Sequence, residues 1–320
     1  MLADITIKHL THRKEQNTMD NNIVTIDTNN YEAMAKAMGI AGEGTKSSDT
    51  KKTQQLPRFR ISHSPIMGET KMNGKSVNVE VVEGGTYKLE IPDGDTYYSK
   101  TARIRPFMQR YMYKRFVKNM NAKMGEPMGI YHKTVMADTL NVDLKDNQGG
   151  FNCGKPAGYI QDFKALPEKT QDLIKQIKRV RVIFGLVDLL EPTNAKGEGI
   201  SFKSTPFIWE IDNRDAFKTL GIPFNKLAQL KRLPIQHNIE LATEERKLPN
   251  GNVFYLPTST LDVANKVDLS DDDQATFGDF MTWIQNYNQY IVKEWDANMG
   301  GNASADMKDI VNDFIEVDAS

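Results

Sequence analysis

Short extended runs separated by glycine turns dominate the chain beyond its N-terminal segment, and they restrict the fold more than any other feature. Asn73-Gly74 precedes Val77–Val81, in which apolar and polar residues alternate, and Gly84-Gly85 precedes a second run, Tyr87–Ile91. Alternation with a period of two is typical of a half-buried strand, and tight glycine turns join neighbouring antiparallel strands. The pattern therefore predicts an antiparallel β-sheet, either a meander or a barrel.

Further strands are predicted in the second half of the chain. The run 179–190 is apolar over most of its length, as in a largely buried strand, and Gly185 within it marks a bulge or a barrel corner. Pro206–Ile211 is another strand. Asn250-Gly251 between two extended runs predicts a hairpin that returns through Val253–Leu256.

Three helices are expected beside these strands. One begins after Pro106 and ends near Met120, and a second covers 167–177 with proline in its first turn. Ser270 is suited to cap a third helix, because three aspartates follow it where the helix dipole favours acids. Its apolar residues recur at helical spacing: Phe277, Phe280, Met281, Ile284, Tyr287, Ile291 and Trp295.

The predicted fold class is α+β, an antiparallel OB-like β-barrel with helical insertions at 107–120 and 167–177 and a C-terminal amphipathic helix. Four segments are expected. They are a flexible N-terminal arm and linker at 1–55, the OB-like core at 56–260, the C-terminal helix at 261–300 and an acidic flexible tail at 301–320.

The charge distribution indicates a polyanion-binding body. From Asp268 to the C-terminus there are twelve acidic residues and two lysines, a charge of −10. The whole chain has 41 basic and 42 acidic residues, so the preceding part keeps 39 basic and 30 acidic residues, a charge of +9. Such asymmetry is typical of a body that binds polyanions and carries an acidic tail. The alternative is an ordinary acidic terminal helix.

The segment 96–125 contains no acid and mixes cations with aromatic rings. The cations are Lys100, Arg103, Arg105, Arg110, Lys114, Arg115, Lys118 and Lys123, and the rings are Tyr97, Tyr98, Phe107, Tyr111, Tyr113 and Phe116. Single-stranded nucleic acids are bound by this mixture, because cations neutralise phosphates and flat rings stack on unpaired bases. The alternative is a helix with a basic solvated face and core aromatics.

Two more groups extend the candidate binding site. Arg179 and Arg181 alternate with valines, so both lie on one strand face, which suits an OB-type binding surface and equally an ordinary solvated edge. Phe151 and Lys155 are expected on a loop that contacts the strand. The full candidate set is Arg58, Arg60, Tyr97, Tyr98, Lys100, Arg103, Arg105, Arg110, Tyr111, Tyr113, Lys114, Arg115, Phe116, Lys118, Phe151, Lys155, Arg179 and Arg181.

The acidic end contains a small apolar element. Its candidate partner-binding residues are Asp309, Asp313, Phe314, Ile315, Glu316, Val317 and Asp318. Such a tail is suited to occupy a basic groove when DNA is absent, or to dock on partner proteins through its apolar anchors. The alternative is a solubilising disordered end.

Motifs for catalysis and for metal binding do not fit the chain. Gly149–Lys155 has phosphate-loop spacing, but Pro156 replaces the hydroxyl residue that would bind magnesium. A single cysteine, Cys153, excludes a disulfide and multi-cysteine zinc sites, and the five histidines are scattered. We therefore assign no metal, no cofactor and no catalytic residue, and expect a protein that is not an enzyme.

Three stretches of this chain resemble a group of bacteriophage single-stranded DNA-binding proteins. They are Lys178–Val187, Gly149–Lys155 and Pro206–Ile211, and the resemblance covers the body from Leu56 to Leu256. It implies an OB-fold core, binding without sequence preference, cooperative assembly on strands, and tail contacts with replication or recombination proteins. The chain departs from the zinc-containing subtype, because one cysteine cannot form that site.

The sequence thus predicts a protein that binds and protects single-stranded DNA during phage replication and recombination. The N-terminal arm is a candidate for self-association on DNA. No run of 18 apolar residues and no signal-peptide core is present, so the host cytoplasm is the expected compartment and no membrane partner is expected. A phage tail or neck component remains the alternative function.

Overall fold

The computed structural model describes residues 55–72, 75–120, 124, 127–156, 158 and 160–299 of the 320-residue chain. Residues 1–54 of the expected N-terminal arm and all of the expected acidic tail lie outside this part. The strands are β1 Arg58–Ser62, β2 Ile66–Met72, β3 Lys75–Val82, β4 Thr86–Glu90, β5 Thr96–Ser99, β6 Thr101–Lys118, β7 Gly129–Lys133, β8 Ile177–Leu190, β9 Thr205–Ile211, β10 Ile239–Lys247 and β11 Val253–Leu261. The helices are α1 Glu168–Gln176, α2 Arg214–Thr219, α3 Gly221–Gln229 and α4 Asp271–Met299.

One large sheet organises the described part of the chain. Its strand order is β11-β10-β6-β8-β9-β1-β4-β5, and β7 pairs with β6 outside this path. The sheet is mixed, because β1 pairs with β9 in parallel at Arg58 and Ile208 while its other pairs are antiparallel. Strands β2 and β3 form a separate two-stranded sheet. The α+β class and the C-terminal helix are confirmed, whereas no closed barrel is found among the described residues.

The predicted helix after Pro106 is wrong, because this segment lies in β6, the longest strand. Strand β6 pairs with β8 from Thr101 to Arg115, and the register shifts between Pro106 and Met108. Phe107 is the extra residue of this β-bulge. A proline lacks an N–H donor and is tolerated at a bulge, so Pro106 interrupts the ladder without ending the strand.

Gly185 lies opposite this bulge and pairs with Pro106. A Cβ atom at this position would collide with the backbone carbonyl of Arg105. The glycine therefore allows two backbones to approach closely where the bulge bends β6. The bulge itself lies in the partner strand, opposite the residue that was predicted to mark a bulge or a barrel corner.

The other predicted elements are present. Helix α1 follows Pro167, and β10 and β11 form the hairpin around Asn250-Gly251. Ser270 caps α4, because its hydroxyl accepts a hydrogen bond from the backbone of Asp273 at 3.2 Å. The Asp273 carboxylate accepts one from the Ser270 backbone at 2.9 Å, which completes a reciprocal cap.

The two faces of the sheet carry separate apolar clusters. On β8, Ile183 and Val187 belong to a cluster that includes Phe224 of α3. Val182 and Phe184 belong to the other cluster, which includes Phe280 of α4. Helices α2 and α3 thus cover one face and α4 covers the other. Each large apolar side chain buried this way contributes about 1.5–3 kcal/mol.

Candidate nucleic-acid interface

Strand β6 aligns a row of basic side chains on the face that α4 covers. The Phe107 bulge shifts the alternation by one residue, so odd-numbered positions before it share a face with even-numbered positions after it. The row is Arg103, Arg105, Arg110, Lys114 and Lys118. The bulge thus gathers on one face cations that strict alternation would divide between two.

Carboxylates hold the first three cations of this row. Arg105 forms a bidentate pair with Asp273 at the start of α4, where Nη1 lies 3.1 Å from Oδ2. Arg110 lies 2.9 Å from a carboxylate oxygen of Asp138, and Arg103 lies 2.5 Å from Glu240. These arginines stabilise the packing around α4 and the edge of the sheet. The open end of the row is at Lys118, which is exposed, because Asp212 and Glu210 also hold Lys114.

An exposed aromatic pair lies beside this open end. Phe116 pairs with Tyr131 across β6 and β7, and their ring centroids are 5.0 Å apart. The two residues are 39% and 51% exposed. Lys114 and Lys133 place their Nζ atoms 5.7 and 5.8 Å from the Tyr131 ring centroid. We call Phe116 and Tyr131 the aromatic platform.

A network of ion pairs borders the aromatic platform. Lys114 Nζ lies 3.0 Å from Asp212 Oδ2, and Lys178 Nζ lies 3.1 Å from the same oxygen. Glu210 lies 3.7 Å from both Lys114 and Lys133. Three lysines thus share two carboxylates and keep one net positive charge. We call these five residues the lysine–carboxylate network.

The Asp212 carboxylate stays ionised in this network. Burial by itself raises the pKa of Asp212, but hydrogen bonds and charges from Lys114 and Lys178 outweigh burial and lower it below its usual value. The lysines are therefore bound to a full negative charge at neutral pH. A phosphate that contacts them has to compete with this carboxylate.

Residues on the opposite face of the same hairpin are buried. Arg115 is 8% exposed and donates from Nη2 to Nδ1 of His132 at 3.1 Å. Burial first and the Arg115 charge second lower the pKa of His132 to about 4, so the imidazole is neutral near pH 7. Tyr113 is 2% exposed. These side chains pack on the side of the hairpin opposite to the aromatic platform. They do not face a DNA strand bound on that platform.

Arg179 and Arg181 lie on one face of β8, as the alternation predicts. Arg181 is nevertheless buried, because its guanidinium lies 4.6 Å above the Phe217 ring and donates to the Tyr111 hydroxyl at 3.1 Å. Arg179 remains exposed, 5.8 Å from the same ring. Helix α2 therefore covers Arg181 and Tyr111. Arg181 is for this reason not available as part of an exposed arginine surface on this face of the sheet.

The glycine-rich loop before α1 separates Phe151 from Lys155. Phe151 is 45% exposed and packs 5.6 Å from the Trp295 ring, above which Lys145 Nζ lies at 3.8 Å. Lys155 donates to the carbonyls of Pro156 and Gly158 and lies 5.4 Å from the Tyr113 ring. The two residues do not form one contact surface.

The remaining candidates lie several strands away from the aromatic platform, except Lys100, which directly precedes β6 at the opposite end of that strand. Arg58 and Arg60 lie on β1, which β8 and β9 separate from β6. Arg60 and Lys100 pair with Glu90 and Glu83 at 2.6 and 2.9 Å. Tyr97 packs against Phe202 and Tyr98 is buried. The tail candidates, Asp309 to Asp318, lie outside the described residues.

Sequence reasoning missed four residues of this region: Tyr131, Lys133, Glu210 and Asp212. Alternation in Gly129–Lys133 is a weak strand signal that was available. The pairing of this short strand with β6 could not be predicted, because residues 107–120 of β6 were expected to form a helix.

Comparisons with protein-family models, with curated proteins and with solved structures give no match to this chain. Among the described residues there is no group of three histidine, cysteine or acidic side chains arranged to hold a metal ion. In the same part of the chain, every helix is too short or too polar to cross a membrane.

Proposed function

We propose that this protein binds single-stranded DNA without sequence preference through the aromatic platform and the lysines beside it. The observation that carries the proposal is the pair of half-exposed rings, Phe116 and Tyr131, flanked by Lys114 and Lys133. Two unpaired bases would stack on the rings while the lysines contact the phosphates between them. Stacking on an aromatic side chain contributes about 1–3 kcal/mol per base and tolerates any base.

The exposed rings favour binding of single strands over binding of duplexes. An exposed ring gains stacking energy only from a base whose flat face is free, and bases within a duplex are already stacked on both faces. Lys118 at the end of β6 and Lys178 on β8 opposite Lys114 are both exposed, and they extend the cationic track beyond the rings. Binding of this kind is an equilibrium and involves no bond cleavage.

The same proposal includes roles for the acidic tail and for the N-terminal arm. The +9 body and the −10 C-terminal part support a role in which the acidic tail modulates binding and recruits replication or recombination proteins. Self-association through the N-terminal arm, action in the host cytoplasm and an OB-like relationship of the sheet are proposals as well. The platform mechanism depends on none of them.

Fluorescence anisotropy of labelled oligo-dT tests the proposal. The wild-type chain is expected to bind with strong salt dependence, and Phe116→Ala combined with Tyr131→Ala should weaken binding at least tenfold. Phe277→Ala is the matched control, because Phe277 is 41% exposed but lies on α4. Equal affinity of the wild type and the double variant would refute the platform, and no binding at low salt would favour a tail or neck component.

A further inference from the structure

Helix α3 presents an exposed surface that combines apolar and basic side chains. Ile222 and Leu230 are 63% and 45% exposed, and Lys226 lies between them on the same face at helical spacing. Leu233, 59% exposed, and Lys231 follow directly. We call Ile222, Lys226, Leu230, Lys231 and Leu233 the α3 surface.

The backbone fixes the end of this surface. Lys231 has a φ of 54°, and the Arg232 backbone donates to the Leu227 carbonyl at 2.9 Å, as in a Schellman C-cap. The opposite side of the helix is anchored by Phe224 and Leu227, which are buried. The exposed leucines and lysines therefore stand on a rigid support.

The charge of this region is strongly positive. Residues 214–233 contain five basic residues and one acidic residue. Within the described part of the chain, no ion pair involves Lys218, Lys226 or Lys231. Exposed apolar side chains rimmed by cations mark a site for an acidic partner with apolar anchors.

The C-terminal segment of this protein has the complementary composition. Residues 302–320 contain five acidic residues and one lysine. Their apolar residues include Met307, Ile310, Val311 and Phe314, which have the spacing of one face of an amphipathic helix. A charge of −4 with this apolar stripe matches a charge of +4 beside exposed leucines.

We propose that the C-terminal segment of one molecule docks on the α3 surface of a second copy. Helices α3 and α4 cover opposite faces of the sheet, and the last turns of α4 pack on the loop at Gly150, where Trp295 donates to its carbonyl at 2.9 Å. The seven residues 300–306 span at most about 24 Å when extended. Two layers of about 10 Å each separate the faces, and a segment of the same molecule must also pass around the edge of the sheet to reach α3, so docking on a second copy is the less constrained arrangement.

A charge-swap experiment on the full-length chain tests the proposal by sedimentation velocity, without DNA. One variant carries Lys226→Glu and Lys231→Glu, and the other carries Asp309→Lys and Asp313→Lys. Wild type should associate with rising concentration, and each variant alone should associate at least tenfold more weakly. An equimolar mixture of the two variants should associate again, because the unchanged α3 surface of the tail variant then meets the unchanged C-terminal segment of the surface variant. Lys164→Glu with Lys169→Glu, near α1, is the matched control.

Three outcomes would overturn the proposal. They are a wild type that stays monomeric, surface variants that associate as wild type does, and a mixture that fails to restore association. Thermal unfolding of each variant confirms that folding is intact. Because no nucleic acid is present, failure here leaves the proposed DNA binding untouched, and failure of DNA binding leaves this association untouched.

Discussion

Lys114 and Asp212 form the central contact of the lysine–carboxylate network, with Nζ 3.0 Å from Oδ2. Lys114 is 14% exposed and Asp212 is 30% exposed, so the pair is partly shielded from solvent. The same carboxylate oxygen also binds Lys178. A DNA phosphate that reaches these lysines would meet a negative charge already in place.

Removing this competing charge should strengthen DNA binding. Asp212→Asn keeps the shape of the side chain, and we expect about fivefold tighter oligo-dT binding at low salt, from loss of a repulsion of roughly 1 kcal/mol. The slope of log K against log salt should steepen by about 0.7. Anisotropy titrations at four salt concentrations measure both quantities.

The control for this substitution is Asp172→Asn, which removes an exposed carboxylate that pairs with Lys175 on α1. It should change neither affinity nor slope. Weaker binding by Asp212→Asn would mean that the carboxylate positions the lysines for DNA, and the competition argument would then be wrong.

The Arg105–Asp273 pair should contribute strongly to stability. Both side chains are largely buried, and the Asp273 carboxylate also completes the cap of α4. Asp273→Asn leaves the Arg105 charge buried without its partner, so we expect the free energy of unfolding to fall by about 3 kcal/mol. Urea denaturation measures the change. Asp272→Asn, exposed in the same helical turn, should cost less than about 1 kcal/mol, and equal losses would contradict the argument.

Much of the fold could be predicted from local sequence. Strands β8 and β9, the β10–β11 hairpin and the Ser270 cap each follow from alternation, an Asn-Gly turn or a capping residue. The parallel contact between Arg58 and Ile208 could not be predicted, because it joins segments 150 residues apart and no local pattern encodes it. The same holds for β6, in which Pro106 resembles a helix start and instead occupies a bulge.

Only part of the candidate site could be predicted, because the site also depends on pairing between segments that are far apart in the sequence. Lys114, Phe116 and Lys118 lie in the acid-free segment and were identified. Tyr131 completes the aromatic platform from a different strand, and Asp212 follows a strand that reaches Lys114 only across β8. Composition identified the cations, but only tertiary pairing shows which of them are buried, as Arg115 and Arg181 are.

Substitution by alanine at two glycines should change the free energy of unfolding in opposite directions. Gly185→Ala places a methyl group against the Arg105 carbonyl at the bulge, and we expect a loss of about 1–3 kcal/mol. Gly278 lies in α4 with open space around it, so Gly278→Ala should add up to about 1 kcal/mol through helix propensity. Thermal and urea unfolding check both changes, and destabilisation by both variants would show that α4 constrains position 278.

His132 should make stability depend on pH between about 6.5 and 4. Its pKa in the folded protein is lowered to about 4, while an unfolded chain binds the proton near pH 6.5. Below pH 6.5 the unfolded state therefore binds more protons, and the free energy of unfolding falls by about 2–3 kcal/mol as pH approaches 4. Above pH 6.5 His132 is neutral in both the folded and the unfolded state, so it no longer changes the free energy of unfolding with pH.

His132→Gln removes this titration and keeps a side-chain acceptor for Arg115. Urea unfolding at pH 7.5, 6.5, 5.5 and 4.8 should give a flatter profile for the variant than for the wild type. The lowered pKa values of Asp212 and Asp273 affect stability only below about pH 4, so they do not contribute within this window. Parallel profiles for the two proteins would show that the pKa of His132 is the same in the folded and unfolded states, so that neither burial nor the Arg115 charge lowers it.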